Sequence, residues 1–388
     1  MTKLILHIGS EKTGSTALQH YLAHNKDRLL KKNFFIPSFL GSIDHRWLPV
    51  IMYPFERKDD LTDSCLGLDD VERNKLVAHK KTEFASKVAQ HKDQTWIISS
   101  EHLQARLRTK QEIEKLKAFL FDYFEDINVI CYVRKPIEAV VSLWSTAAKC
   151  GHCWEELPSP GSHIDRLCNH RHTDELWSNS FGKSFNMRLY AKTELCNGNI
   201  IDDFSKYADI DPLGLDSLSK NYNPSLSEAA IKTISFINKK VNSSLKIESE
   251  KIDRESLMGG VEAAFSSLPR FAPSYEETKA YCDYYSESDE YILKKYFPEK
   301  KELWTASRKA GNKVESLDGE NHAVAYEQFA NFIVDVWLQE RRKQAELELQ
   351  INALDNEIRS IKSSKIYHYL KLPGRIRHKL ISVIKNKS

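Results

Sequence analysis

The stretch LILHIGSEKTGSTALQHYL, Leu4–Leu22, carries the strongest structural signal in this chain. Its first five residues are apolar with one exception, which is typical of a short parallel strand covered on both faces. Gly9 and Gly14 allow tight turns and the close approach of a ligand, and Ser15 and Thr16 stand where a helix begins. Free N–H groups and hydroxyls at a helix start can bind an anion. The stretch therefore predicts a strand, a phosphate-binding loop and a helix in succession, and hence a nucleotide donor.

The loop departs from the Walker pattern G-x-x-x-x-G-K-[ST] at one informative point. Ser15 follows Gly14, while the lysine comes earlier, as Lys12, which disfavours a standard nucleoside triphosphatase. The segment His7–Gln19 is similar instead to the 5′-phosphosulfate loop of sulfotransferases that use 3′-phosphoadenosine 5′-phosphosulfate (PAPS). The resemblance implies that the donor is bound by Gly9, Lys12, Thr13, Gly14, Ser15 and Thr16.

A second motif, INVICYVRKPIEAVVSLW, occupies Ile127–Trp144. Its β-branched first half predicts a central strand, and Pro136 fits the first turn of a following helix. Arg134 then lies at the carboxyl end of the strand, where open α/β sheets bind ligands, and its guanidinium can contact two phosphate oxygens at once. Ser142 can add a hydroxyl from two turns along the helix. In the sulfotransferase family, an Arg and a Ser at this spacing bind the 3′-phosphate of the donor.

Sulfuryl transfer requires a cation at the bridging oxygen and a base for the acceptor hydroxyl. Lys12 is the natural cation, as charge develops there in a loose transition state. Glu101 and His102 follow a predicted strand at Trp96–Ser100, and either can be the base. We favour Glu101, because the preceding Ser-Ser resembles bacterial members, while both candidates stay open. His45 is predicted to face the acceptor, as in relatives, although a loop histidine is more often a bystander.

The segment between residues 150 and 172 departs from the family. It contains several cysteines and histidines at spacings that can bind Zn²⁺ tetrahedrally. The candidate ligands are Cys150, Cys153, Cys168 and either His170 or His172. The alternative is a loop over the acceptor pocket without a metal, which we favour because the pattern is only moderately specific. The reaction itself requires no Mg²⁺, because Lys12 and Arg134 can meet the charge of the donor.

Strands alternating with helices predict an α/β fold: a three-layer, P-loop-like domain with a central parallel sheet, plus a helical C-terminal extension. A further strand is predicted at 184–190, and helices at 195–207, 226–239 and 291–304. We expect a sulfotransferase domain at 1–310, a connecting helical segment at 311–338 and an amphipathic, basic helical tail at 339–388. The resemblance to sulfotransferases covers about residues 1–305.

The tail has two features that concern partners. Leu347, Ile351, Leu354, Ile358 and Ile361 alternate in spacings of four and three, which places one apolar seam along a helix. After Glu357 there are nine Lys and Arg residues and no acid, interleaved with apolar residues. Such a segment predicts either peripheral contact with an anionic membrane or a homodimer through the seam.

Composition agrees with an ordinary enzyme. A net charge of +3 over 388 residues does not favour nucleic acid as a partner. Seven scattered cysteines and the lack of a signal peptide or membrane span predict a cytoplasmic protein, peripheral at the inner face of the membrane if the tail binds lipid. The sequence thus predicts a PAPS-dependent sulfotransferase acting on a hydroxyl, with a glycan or polysaccharide precursor as acceptor. The alternatives are a P-loop kinase and a non-catalytic, membrane-peripheral scaffold.

Overall fold

The computed structural model describes residues 2–54, 57, 59–63, 69–217, 225–244, 254–304 and 319–363. Five strands form one sheet in the order β2-β3-β1-β4-β5, and all neighbouring strands are parallel. The strands are β1 (Lys3–His7), β2 (Phe34–Phe35), β3 (Thr95–Ser99), β4 (Asp126–Val133) and β5 (Phe185–Leu189). The predicted central parallel sheet is confirmed.

Sixteen α-helices are formed by the described residues. They are α1 (Ser15–His24), α2 (Lys26–Lys31), α3 (Trp47–Met52), α4 (Asp60–Asp63), α5 (Asp70–Gln90), α6 (His102–Arg106), α7 (Lys110–Phe121), α8 (Pro136–Lys149), α9 (Asp165–Cys168), α10 (His170–Phe181), α11 (Ile200–Tyr207), α12 (Glu228–Ser244), α13 (Arg254–Ala264), α14 (Tyr275–Tyr284), α15 (Ser286–Tyr296) and α16 (Gly319–Ser363).

Helices cover both faces of the sheet, because side chains alternate along each central strand. In β1, Leu4 and Leu6 belong to one apolar cluster, which also contains residues of α5, α7 and α10, whereas Ile5 belongs to the other. That second cluster is completed by residues of α1, α2 and α11. Burial on both faces explains why the strands are almost continuously apolar. The three-layer α/β architecture is therefore confirmed.

The sequence located four of the five strands and missed β2, which has only two residues and pairs with the edge of β3. The three predicted helices differ from the structure in their bounds: the helix at 195–207 begins only at Ile200, the helix at 226–239 is Glu228–Ser244, and the helix at 291–304 differs most. Instead of spanning 291–304, α15 begins at Ser286 and ends at Tyr296. Phe297 leaves the helical conformation with φ −137° and ψ 48°, because the next residue, Pro298, disfavours helical backbone before it.

The chain divides into two compact units, Met1–Ser235 with Ile252–Gly319, and Phe236–Lys251 with Glu320–Ser388. The boundary near residue 320 lies inside the predicted connecting segment 311–338. In the second unit, α16 is a helix of 45 residues. Four residues of its predicted seam are 44–57% exposed, namely Leu347, Ile351, Leu354 and Ile358. The side chain of Ile361 and the basic residues after Ser363 lie outside the described residues.

Candidate functional site

The loop between β1 and α1 begins as an extension of the sheet. The backbone N–H of Ser10 donates to the carbonyl of Tyr132 in β4 at 2.8 Å, and the N–H of Tyr132 donates to the carbonyl of Gly9 at 2.6 Å. The hydroxyl of Ser10 donates to the same Tyr132 carbonyl at 3.1 Å. The first half of the loop is thus fixed to the strand that carries the second predicted motif.

The second half of the loop turns sharply back into α1. Lys12 and Gly14 both have left-handed backbone, with φ 64° and 79°. The hydroxyls of Thr13 and Ser15 donate to the carbonyl of Ser10 at 2.6 and 3.3 Å, so in this structure they shape the loop from within. The remaining anion-binding groups are the N–H groups of the first turn of α1, which have no acceptor inside the helix. Thr16, in that turn, is half-buried.

Lys12 lies among charges of both signs. Burial lowers the pKa of its ammonium group, while the nearby carboxylates of Glu11 and Glu101 oppose that change. A partly desolvated ammonium group interacts more strongly with an anion than a fully hydrated one, since the local dielectric is lower. The loop therefore presents one cation, flanked by carboxylates, at the edge where β1 ends.

Arg134 joins this loop from the neighbouring strand. It follows the last residue of β4, and its Nη1 donates to the carbonyl of Lys12 at 3.2 Å. Its Nε is 3.3 Å from a carboxylate oxygen of Glu138, and its own carbonyl is 2.9 Å from Nε2 of His170. Two motifs that lie far apart in sequence thus meet at one place. Ser142 is half-buried on α8, six positions after Pro136, which corresponds to about 9 Å along the helix axis.

Tyr190, which the sequence did not single out, borders both parts of this site. Its backbone N–H donates to the carbonyl of Val133 at 2.7 Å, directly after β5 ends. The guanidinium carbon of Arg134 lies 5.5 Å from the centre of its ring. A Cβ added to Gly14 would lie 2.9 Å from the ring, so only glycine lets the loop pass this close. The available signal was position, because Tyr190 is the last residue of the strand predicted at 184–190.

Glu101 approaches the loop from the other side, at the end of β3. A Cβ added to Gly9 would lie 3.0 Å from both Cα and Cβ of Glu101. Nε2 of Gln19, one turn into α1, donates to Oε2 of Glu101 at 2.5 Å. This amide donor fixes the position of one carboxylate oxygen of Glu101 beside the loop. Gln19 was part of the quoted motif but had no predicted role.

His102 and His45 lie at the same end of β3. Burial acts to raise the pKa of Asp44, but hydrogen bonds from Arg46 and its charge, with a further contribution from His102, lower it overall, which places His102 near Asp44. Nδ1 of His102 is buried and has no hydrogen-bond partner among the described residues. Between the two candidate bases, Glu101 is the one that contacts the loop and α1, while the assignment stays a prediction.

His45 is fully buried and bound to the backbone of β3. Its Nδ1 accepts the N–H of Ser99 at 2.8 Å, and its own N–H donates to the Ser99 carbonyl at 3.0 Å. Burial lowers its pKa to about 4, although the carboxylate of Asp44 acts in the opposite direction. The imidazole is therefore neutral near pH 7 with its proton on Nε2, so it can donate a hydrogen bond but not act as a cation.

The proposed zinc ligands do not converge. Cys168 is buried, with its Sγ 3.9 Å from the carbonyl oxygen of Pro136, and burial raises its pKa to about 12. Cys150 and His172 are exposed, whereas His170 is buried against Arg134. Within the described ranges, no three His, Cys, Asp or Glu side chains are grouped as a metal ion would require. Cys168 lies in α9 and both histidines lie in α10, whereas Cys150 and Cys153 follow the end of α8.

No family model and no curated protein matches this chain. Among solved structures, it is similar to a sulfotransferase from Alicyclobacillus acidocaldarius, with 13% identity over 64% of this chain and 98% of that one, and a TM-score of 0.35. The sulfotransferase domain from the curacin biosynthetic pathway has 12% identity over 69% of this chain and 99% of that one, with a TM-score of 0.33.

A third similar structure comes from the PezAT chromosomal toxin–antitoxin system of Streptococcus pneumoniae, with 17% identity over 64% of this chain and 88% of that one, and a TM-score of 0.25. All three similarities are too distant to support a function. The fold nevertheless defines a class: an α/β protein with a parallel sheet and a P-loop-like turn between β1 and α1 at the carboxyl ends of its strands.

Proposed function

We propose that this chain transfers a sulfuryl group from PAPS to a hydroxyl acceptor, which we take to be a glycan. The observation that supports this most is the meeting of Lys12, Arg134 and Glu101 at the ends of three adjacent strands. A sulfuryl donor with a second phosphate needs one cation at the reacting centre and another at a distance. A hydroxyl acceptor needs a base as well.

The roles of these residues follow from their positions. The N–H groups at the start of α1 and the ammonium of Lys12 would bind the 5′-phosphosulfate, and Arg134 with Ser142 would bind the 3′-phosphate. The ring of Tyr190 lies between Gly14 and Arg134, where it can pack against the nucleoside that joins the two phosphates.

The reaction then balances with the groups in place. The acceptor oxygen attacks sulfur, and its proton passes to Glu101. The bond between sulfur and the bridging oxygen breaks, leaving 3′-phosphoadenosine 5′-phosphate (PAP) and a sulfate ester. Lys12 stabilises the negative charge that grows on the bridging oxygen as the bond lengthens. The acceptor hydroxyl becomes more acidic as its oxygen bonds to sulfur. Glu101, held by Gln19, takes the proton at that point.

Titration with nucleotides tests the proposal. PAP should bind well, and adenosine 5′-phosphate, which lacks the 3′-phosphate, should bind at least tenfold more weakly, as expected for loss of a charged hydrogen bond. Arg134→Ala should remove that difference. Arg28→Ala is the matched control, because Arg28 lies on α2 and pairs with Asp216. Preference for ATP with Mg²⁺ would favour a P-loop kinase, and no nucleotide binding at all would favour a scaffold.

A further inference from the structure

A pocket of about 510 Å³ lies beside the proposed donor site, and of its lining residues the sequence analysis had named only His172, as a candidate zinc ligand. Its size is that of a small-molecule site. Gln104 in its wall lies on α6, one turn after Glu101, and the backbone N–H of Gln104 donates to the carbonyl of Ile8 at 3.3 Å. Arg166, also in the wall, has its Nη2 3.9 Å from a carboxylate oxygen of Glu11 in the loop. The pocket is therefore adjacent to both the loop and the candidate base.

Hydrogen bonds join residues of the pocket wall to one another. Nε2 of Gln104 donates to the carbonyl of Arg166 at 3.0 Å and to the hydroxyl of Thr173 at 3.1 Å. Trp177 and Leu107 are buried and supply an apolar surface. A pocket with an apolar floor and a few fixed polar groups is typical of a site for a specific ligand.

Two guanidinium groups in the wall have donors to spare. A guanidinium carries five N–H donors, yet Arg166 makes only its long ion pair to Glu11, and the side chain of Arg108 has no hydrogen bond or ion pair within the part of the chain that the structure describes. Asp165 is the one carboxylate in the wall, and it accepts a hydrogen bond from Nδ2 of Asn169 at 3.3 Å.

The wall of the pocket carries two guanidinium groups and one carboxylate. Burial lowers the pKa of Arg166, and only Glu11 raises it, while Arg108, Arg106 and Arg57 lower it further. Arg57 is compensated elsewhere, because it pairs with Glu112 and lies 3.8 Å from Asp59. Arg108 and Arg166 thus repel each other, and the nearby carboxylates are Asp165 in the wall and Glu11 beside it. An anion between them would relieve that repulsion.

We infer that this pocket binds an anionic group of the acceptor, a carboxylate, sulfate or phosphate, through Arg108 and Arg166. The inference rests on the proposed sulfuryl transfer and narrows its acceptor to hydroxyl compounds that already carry a negative charge. The anion fixes the acceptor at Arg108 and Arg166 while its hydroxyl reaches Glu101. A neutral glycan lacks this contact and binds weakly.

The experiment compares three sugars on the full-length protein, with and without PAP. Methyl glucuronide carries a carboxylate, glucose 6-phosphate carries a phosphate, and methyl glucoside is neutral; calorimetry measures the affinity of each. We expect at least one of the two charged sugars to bind at least tenfold more tightly than the neutral sugar. A difference of this size is what one hydrogen bond to a charged group contributes. Which of the two is preferred distinguishes an acidic glycan from a phosphorylated sugar.

Variants then assign the contact. Arg108→Gln and Arg166→Gln should each weaken the charged sugars about 10- to 100-fold and leave methyl glucoside unchanged. Arg28→Gln is the control for loss of a surface guanidinium. Arg108 is exposed, so its variant should fold normally, as thermal unfolding will check. Equal affinity for all three sugars, absence of binding by both charged sugars, or charged-sugar affinity that survives both substitutions would overturn the inference.

The two proposals fail in different ways. If PAP does not bind, the donor assignment is wrong, and the sugar measurements on the nucleotide-free protein still decide whether the pocket selects anions. If PAP binds but the sugars are not discriminated by charge, sulfuryl transfer stands and the anionic acceptor is wrong.

Discussion

The carboxyl edge of the sheet and the long helix α16 differ in whether their side chains are held by specific partners. At the sheet edge, polar groups are fixed by specific partners, as Glu101 is by Gln19 and Arg134 is by the carbonyl of Lys12. Along α16, the four described apolar side chains of the predicted seam remain about half exposed. Fixed polar groups suit chemistry, whereas exposed apolar groups still have area to bury. We therefore expect changes at the edge to alter turnover, and changes along α16 to leave it unaltered.

The largest effect should come from Lys12→Ala. Loss of a cation from the reacting centre should reduce turnover about 10³- to 10⁵-fold, as for other transferring groups with developing charge. Affinity for PAP, measured by calorimetry, should stay appreciable, because Lys12 acts mainly in the transition state. Lys26→Ala, at an exposed lysine of α2, is the control and should leave turnover unaltered. Undiminished turnover in Lys12→Ala would show that Lys12 is not at the reacting centre and that the reaction takes place away from the sheet edge.

The next largest effect separates Glu101 from His102. Glu101→Gln should lower turnover about 10²- to 10⁴-fold and abolish the acidic limb of the pH–rate profile, because the group that must be ionised is gone. His102→Gln should keep that limb. The comparison needs full profiles rather than single rates, since either substitution can disturb the end of β3. Should the limb vanish in His102→Gln instead, the base is His102.

Much of the sheet edge could be predicted from sequence, and the rest could not, for a physical reason. The loop, Arg134 and Glu101 each follow an apolar strand directly, so local pattern places them at one edge. The contacts of Tyr190 and Arg166 depend instead on which segments pack together, and no local pattern reports that. Likewise, the spacing of the cysteines and histidines between residues 150 and 172 does not report how far apart their side chains lie in the fold.

Gly14→Ala should cost stability at the sheet edge, and Gly214→Ala offers a matched control. Both glycines have left-handed backbone, with φ 79° and 78°, but nothing lies within 4 Å of a Cβ at Gly214. Left-handed backbone alone costs an alanine about 1 kcal/mol. At Gly14 the contact with Tyr190 should add about 1–3 kcal/mol, as overpacking does. Denaturant unfolding of both variants measures the difference, and equal losses would show that the tyrosine ring yields freely.

Acid should weaken the sheet edge through buried histidines. Burial lowers the pKa of His7 to about 3 and that of His45 to about 4, so the unfolded chain binds protons that the folded chain does not. The stabilisation from keeping these histidines neutral should therefore be fully present above about pH 6.5. As the pH drops towards 4, the free energy of unfolding should fall by about 1.4 kcal/mol per pH unit for each histidine. His45→Gln should reduce that slope, while His79→Gln, at an exposed position of α5, should not. An unaltered slope in His45→Gln would contradict the assignment.

The smallest effect on turnover should come from removing the end of the chain. A protein cut after Leu338 should keep its rate on a soluble acceptor, because no proposed site residue lies beyond that point. Binding to vesicles with anionic lipid should fall sharply, and in the full-length protein it should weaken with salt, since charges are screened over about 10 Å at 0.1 M. If full-length protein ignores vesicles yet changes from dimer to monomer on truncation, the seam of α16 joins subunits instead. A change in turnover after truncation would show that the end of the chain contributes to catalysis.

Among the described helices, none is long and apolar enough to cross a membrane.

The strand order has a consequence for how the protein is made. Lys12 and Arg134 are 122 positions apart in the chain, yet they meet only after β1 has paired with β4 in the middle of the sheet. During synthesis, the loop emerges well before β4, the strand that completes the proposed donor site. Nucleotide binding at that site therefore cannot stabilise the chain before β4 has been made. Once the sheet has closed, nucleotide at 100 times its dissociation constant would stabilise the folded protein by about 2.7 kcal/mol. Binding of the proposed donor therefore requires β4 to be docked, and its appearance in a refolding experiment would time that step.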